Sequence, residues 1–217
     1  MGADVNGAGW GLLAAAGALG LGDWIAVSPA VRAKRVEYLL KPATTLALVF
    51  AAVALDPERD AQRAWFVVGL LLSLAGDVFL MLPRDAFVPG LASFLLAHVA
   101  YIVGFALEPR RGVAVAVALA VVAVAAATIG RRILTAARGS PEPVAVPVAV
   151  YMTAISVMVV LAAGTAEPFA AAGAGLFFAS DSLIAWNRFV RPFAWARPAI
   201  MATYHLAQAG LVVSLTR

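Results

Sequence analysis

The sequence predicts an all-α integral membrane protein, a single polytopic domain over residues 1–217 built as one bundle of about eight transmembrane helices. Three observations predict it. Hydrophobic residues make up 63% of the chain and charged residues only 13%, whereas a soluble domain is about half apolar and about a quarter charged. The mean hydropathy is +0.92. The apolar residues also fall in runs long enough to cross a bilayer, which takes about 17–25 residues. Abundant Ala, Val and Gly suit such helices, because small side chains let backbones approach.

The length rule places helices at about 8–27, 38–55, 64–82, 88–107, 113–130, 145–163, 168–186 and 197–215. The first follows a start without a basic segment, so it reads as a retained helix rather than a cleaved signal. The opening MGADVN departs from the myristoylation pattern at Asn6. The second begins near Lys41 and Pro42, after the loop SPAVRAKRVE. DPERDAQR separates it from the third, which ends at PRDAF. The fourth stops at EPRRG, and the fifth, VAVAVALAVVAVAAATIG, at the basic loop RRILTAARGSPEP. The sixth and seventh meet at AEP, and NRFVRPFAWARP precedes the eighth.

Basic residues orient the bundle, since cytoplasmic loops carry an excess of Lys and Arg. Placing the N-terminus outside leaves Arg32, Lys34, Arg35, Arg84, Arg131, Arg132, Arg138, Arg188, Arg191 and Arg197 on the inner side. Arg59, Arg63, Arg110, Arg111 and Arg217 then lie outside, so both termini are predicted on the outer side of a bacterial-type inner (plasma) membrane. The net charge of +4 and pI near 10 therefore encode orientation and not a nucleic-acid surface. The absence of cysteine excludes disulfides and thiolate zinc sites.

Ionisable residues inside apolar helices are functional candidates by default, because each costs about 2.5–3.5 kcal/mol at a helix centre. Asp77 and Arg84 are seven residues apart, as are Asp181 and Arg188, and each pair precedes a helix bearing a histidine, His98 or His205. This spacing hints at a parallel internal repeat. With both arginines at the inner interface, each aspartate lies roughly 10 Å inside. His98 lies about 13 Å in from Pro89 and His205 about 10 Å in from Pro198. Lys41 lies a turn or so inside its helix. Five groups thus share one depth. Singly, each has a plainer reading: an aspartate pairing to hold a bundle, a satisfied structural histidine, a snorkelling lysine. Asp23, beside Trp24 and just before a basic loop, reads as an interfacial aspartate and not a site residue.

Two carboxylates in a low-dielectric pocket do not easily both ionise, so one residue type supplies both an acid and a base. Glycosidases use such a pair on an acetal through an oxocarbenium-like transition state. At this depth the matching target is a lipid with an acid-labile ether-type bond near its glycerol.

The stretches LLKPATT, GDVFLML, FLLAHVAYI, GLFFASDSLIA and TYHLAQAGLV resemble motifs of the YhhN family, the membrane lysoplasmalogenases. The resemblance runs from about Lys41 to the C-terminus. It implies an eight-helix hydrolase that cleaves the vinyl ether of lysoplasmalogens to a fatty aldehyde and glycerophosphoethanolamine or glycerophosphocholine. It points to Lys41, Asp77, His98, Tyr101, Asp181, Tyr204 and Gln208, with His205 following the matching Tyr204. In that scheme Asp77 and Asp181 are catalytic, and Lys41, His98, Tyr101, Tyr204, His205 and Gln208 bind or orient substrate. Arg84, Arg188 and Lys41 hold the phosphate. No metal or cofactor is expected; the partners are the lysophospholipid and membrane lipids, and no nucleic acid. Two rival classes are a zinc-dependent ceramidase-like lipid hydrolase using His98, His205 and an aspartate, and a proton-coupled small-molecule transporter.

Overall fold

The structure, a computed structural model, describes residues 2–84 and 86–216, with side chains from Asn6 onward. Arg217, counted above on the outer side, and Asp85 of PRDAF lie outside the described residues. Among the described residues the chain forms eight helices and no strand. They are α1 (Gly2–Ala26), α2 (Lys34–Ala54), α3 (Asp60–Met81), α4 (Phe87–Ala106), α5 (Gly112–Arg138), α6 (Ala145–Gly164), α7 (Pro168–Val190) and α8 (Ala196–Thr216). Helices α2 to α8 are each long and apolar enough to cross a membrane. Helix α1 runs antiparallel to α2 over the same depth. A Cβ on Gly9 would lie 2.7 Å from Leu55 at one end of α2, and one on Gly22 would lie 3.0 Å from Leu40 near the other.

Helix α1 starts at Gly2 and not at 8, and α3 at Asp60 and not at 64; three further boundaries that differ from expectation bear on the site. Helix α2 starts at Lys34, before the expected 38, and carries Pro42 in its interior; Lys41 is therefore about two turns in. The stretch RRILTAAR is helical and not loop, because Ile133 and Ala137, four residues apart, bury against Val144 and Val148. It joins the rest of α5 through a π-turn, Ala126–Gly130. A second π-turn, Trp186–Val190, extends α7 past the expected 186, since Trp186, Phe189 and Val190 pack on that same apolar cluster. Arg188 consequently stands on a helix rather than in a loop.

Helices α1 to α4 pack in sequence, α4 then meets α6, α6 meets α7, α7 meets α8, and α8 closes against α1 and α2. The shared core includes Leu48, Phe66, Leu70, Tyr101, Phe105, Met158, Phe177 and Leu211. Contact between α7 and α8 requires glycine. A Cβ on Gly173 would sit 2.9 Å from both the Ala207 carbonyl oxygen and the Leu211 amide nitrogen, so the two backbones touch.

Helix α5 stands outside this arrangement. Only 6% of its most apolar stretch is buried, so its long face is left to lipid. Topology gives the reason. Helices α2–α4 and α6–α8 form two units of three, and an odd number of crossings leaves the chain on the wrong side to begin a second unit in the same direction. Helix α5 is the return crossing. The two hairpins of the hinted repeat fall on α3–α4 and α7–α8.

The two ends of the bundle differ. At one, Asp56 N donates to Asn6 Oδ1, Glu58 N to the Leu215 carbonyl and Arg111 N to that of Gly164, and Arg59 pairs with Glu108. Both described ends of the chain lie here. At the other, Arg197 pairs with Glu37 and Arg188 with Glu142.

Candidate active site

Helix α3 carries Asp77 fully buried. A bare carboxylate there would be costly, and three side chains surround it. Lys41 Nζ lies 3.1 Å from Oδ1. Thr45 Oγ1 and Tyr204 OH donate to Oδ2 at 2.9 and 2.8 Å. Lys41 and Thr45 are four apart on α2, and so share a face. Tyr204 and Gln208 are likewise four apart on α8. Gln208 Nε2 donates to the Tyr204 oxygen at 3.4 Å and its Oε1 accepts from Tyr101 OH at 2.7 Å. The chain Tyr101–Gln208–Tyr204–Asp77–Lys41 links α4, α8, α3 and α2. It unites five of the ten residues singled out in the sequence.

Asp181 sits on α7 in a different setting. Tyr151 of α6 donates to its Oδ2 at 2.5 Å, and His98 Nε2 lies 3.6 Å from the same oxygen. His98 is fully buried and edge-on to Tyr151 and Phe177. Among the described residues no Lys or Arg forms an ion pair with Asp181. Sequence reasoning missed Tyr151, although it is the one aromatic residue in the run VAVPVAVYMTAISVMVV.

One scheme governs both carboxylates. Each stands on the middle helix of its unit, is held by the helix before it, and takes a further partner from the last helix of the other unit. For Asp77 these are Lys41 and Thr45, then Tyr204; for Asp181 they are Tyr151, then His98. The two clusters meet through aromatic rings. Phe94, Phe177 and Tyr204 contact one another edge-on at 5.5–6.3 Å, and Phe177 also touches His98. No hydrogen bond joins Asp77 to Asp181 among the described residues.

Two cavities adjoin this core. An apolar slot of about 70 Å³ runs between α4, α5, α6 and α7, with Asp181, Tyr151, Ser156 and Ser182 as polar points in its wall. The π-turn of α5 forms its outer side through Ala126, Ile129 and Gly130; such turns often mark functional positions. A second cavity of about 420 Å³ opens at the cationic end. Lys41, Arg84 and Arg188, the three expected phosphate ligands, all line it, together with Lys34, Arg197 and Glu37. The cavities share Leu80, Phe87 and Ile184 in their walls. The Arg188 guanidinium lies over the Phe87 ring at 4.0 Å, at that junction.

Two residues stand elsewhere than expected. His205 joins neither carboxylate cluster by a hydrogen bond; Trp24 Nε1 donates to its Nδ1 at 3.0 Å, tying α8 to α1. Asp23, expected at the interface, is completely buried, and neither carboxyl oxygen has a hydrogen-bond partner in the described structure. The close fit of α1 against α2 covers it. His98 and His205 therefore lie in separate clusters, and among the described residues no three of His, Asp or Glu converge as metal ligands.

A profile of the YhhN family matches residues 36–215. The chain is 38% identical over 164 residues to a lysoplasmalogenase of Mycobacterium bovis, covering 70% of this chain and 61% of that protein. It is 34% identical over 150 residues to human lysoplasmalogenase TMEM86B, covering 68% and 62% respectively. The pig protein of that name is 32% identical over 185 residues, 84% of this chain and 76% of its own length. The chain thus spans about three fifths of the mycobacterial and human proteins. No solved structure matches it.

Proposed function

Because the chain belongs to the YhhN family, we propose that it is a membrane lysoplasmalogenase, hydrolysing the vinyl ether of lysoplasmenyl-ethanolamine or -choline to fatty aldehyde and glycerophospho-alcohol. The observation that carries this reading is the asymmetry of the two carboxylates, Asp77 fully buried and Asp181 partly so, beside apolar and cationic cavities that share wall residues. Asp77 has a cation at 3.1 Å, whereas Asp181 has neutral donors and borders the apolar slot. The relatives named lysoplasmalogenase support the same activity.

In this reading the cationic end faces the cytoplasm and its cavity takes the headgroup. Among the described residues its five cations, Lys34, Lys41, Arg84, Arg188 and Arg197, exceed by two the carboxylates paired to them, Asp77, Glu142 and Glu37. Phosphate matches that excess. The alkenyl chain enters the slot, which brings the vinyl ether beside Asp181.

Asp181 donates its proton to the vinyl carbon distal to oxygen, leaving an oxocarbenium. Asp77, held ionised by Lys41, balances the positive charge. Water then attacks the cation, passing one proton through the Tyr204 hydroxyl to Asp77. The hemiacetal collapses as its hydroxyl returns a proton to Asp181 and Asp77 protonates the departing glycerol oxygen. Both carboxylates are thereby reset. His98 and Tyr151 orient Asp181, and Gln208 and Tyr101 hold Tyr204.

The test offers purified protein lysoplasmenyl-ethanolamine and, separately, the ester-linked lyso analogue, with EDTA present and products read by mass spectrometry. Aldehyde from the vinyl ether alone is the expected result. Asp77→Asn and Asp181→Asn should each fold and lose at least a hundredfold in rate, the scale of one general acid or base. Full activity in either variant would sink the carboxylate pair, and activity abolished by EDTA would favour a metal-dependent hydrolase.

A further inference from the structure

Glu37 is a carboxylate in a wall of cations. It is 6% exposed, on the first turn of α2. It lines the cavity that also holds Lys34, Lys41, Arg84, Arg188 and Arg197, and it is the one acidic residue to do so among the described residues. It also lines the adjoining cavity of about 460 Å³, whose other charged residues are Arg32, Lys34 and Arg197. A pocket shaped only for phosphate gains nothing from a carboxylate, which repels it and costs free energy to bury.

We propose that Glu37 is the ammonium-binding element of a headgroup subsite, which selects zwitterionic glycerophospho headgroups over those that end in a bare phosphate. The inference rests on the lipid-hydrolase reading and adds a specificity residue to it. The chemistry is complementary at each point. Among the described residues neither Lys34 nor Arg84 is in an ion pair, so both are available to phosphate oxygens. Arg197 pairs with Glu37 through one guanidinium nitrogen, and its side chain is 57% exposed. A carboxylate has about four acceptor positions, so Glu37 can hold Arg197 and accept from a primary ammonium together. Each of the two cavities, about 420 and 460 Å³, is of the size that takes small ligands, roughly 300–1,000 Å³. Asn187 lines both cavities and adds a neutral polar contact.

The alternative is that Glu37 serves only to hold Arg197, and the experiment separates the two. Full-length protein in lipid nanodiscs is titrated calorimetrically with glycerophosphoethanolamine and with glycerol 3-phosphate. The wild type should bind the zwitterion about tenfold tighter, the worth of one charge-assisted hydrogen bond at about 1.4 kcal/mol. Glu37→Gln should abolish that preference. Arg197→Gln should weaken both ligands and keep the preference, whereas a purely structural pair makes the two variants behave alike. Equal weakening of both ligands by Glu37→Gln, or no preference in the wild type, overturns the proposal. Turnover of lysoplasmenyl-ethanolamine, measured in parallel, judges the catalytic reading separately. Its absence alongside a Glu37-dependent preference would sink the enzyme and uphold the subsite.

Discussion

Replacing Lys41 with methionine removes the cation from beside Asp77 while keeping most of the side-chain volume. Lys41 is 4% exposed and Asp77 is fully buried, so water cannot take over the lysine's part. Thr45 and Tyr204 would remain, both donating to Oδ2, and Oδ1 would lose its 3.1 Å partner. Breaking a buried pair from one side costs about 3–5 kcal/mol, mostly because the other charge is stranded. Asp77→Asn should cost a similar amount by stranding Lys41. The two losses should not add. Once both charges are gone nothing is stranded, and the double variant should recover about 2–3 kcal/mol relative to the sum. The assay is reversible unfolding in mixed micelles by SDS titration, followed by tryptophan fluorescence, for wild type, both single variants and the double. Losses that add to within about 0.5 kcal/mol would refute the reasoning, since Lys41 and Asp77 would then not be acting as a buried ion pair.

Tyr151→Phe deletes the hydroxyl that donates to Asp181; we expect a kcat loss of at least tenfold with expression intact, read by aldehyde release, and unchanged kcat would remove Tyr151 from the site. Trp24→Phe breaks the bond to His205 Nδ1 and should lower unfolding free energy by about 1 kcal/mol, with kcat unaltered because His205 lies outside both carboxylate clusters; a large kcat loss would return His205 to the chemistry. Gly173→Val drives a side chain into the α8 backbone and should cost at least about 1–3 kcal/mol as an overpacking change. Size-exclusion and melting profiles matching wild type would contradict the close approach.

Much of the architecture was readable because a bilayer imposes length. The apolar runs gave eight helices in order, with ends displaced where local packing decides. RRILTAAR looked like a charged loop, and only the neighbouring Val144 and Val148 make a helix of it by covering Ile133 and Ala137. The depth count put Lys41, Asp77, His98, Asp181 and His205 in one band, since rise per residue is constant. What depth cannot give is azimuth. Asp77 meets Tyr204 while Asp181 meets His98 because of how the two three-helix units face each other, and no spacing along the chain encodes that. Tyr151 escaped notice because tyrosine carries no charge and so no insertion penalty to flag it. Asp23 was misjudged for the same geometric reason: its neighbours along the chain are a tryptophan and a basic loop, whereas its neighbours in space are on α2 and α8.

Helix α5 also divides what selection can alter from what it cannot. The charged core is shared among helices that each touch several others, so a change at Lys41 or Tyr204 is felt by at least three of them. The return crossing leans on α6 along its length and on the end of α7, yet its π-turn walls the slot beside Asp181. If the slot takes a hydrocarbon chain as proposed, the exposed Ala126 and Ile129 can vary in bulk with little consequence for folding and a direct one for which chain fits, whereas a Cβ on the buried Gly130 would meet Met152 at 2.8 Å. On the proposed reading, diversification of tail preference would be written on the least constrained helix, with the residues around Asp77 and Asp181 left as they are.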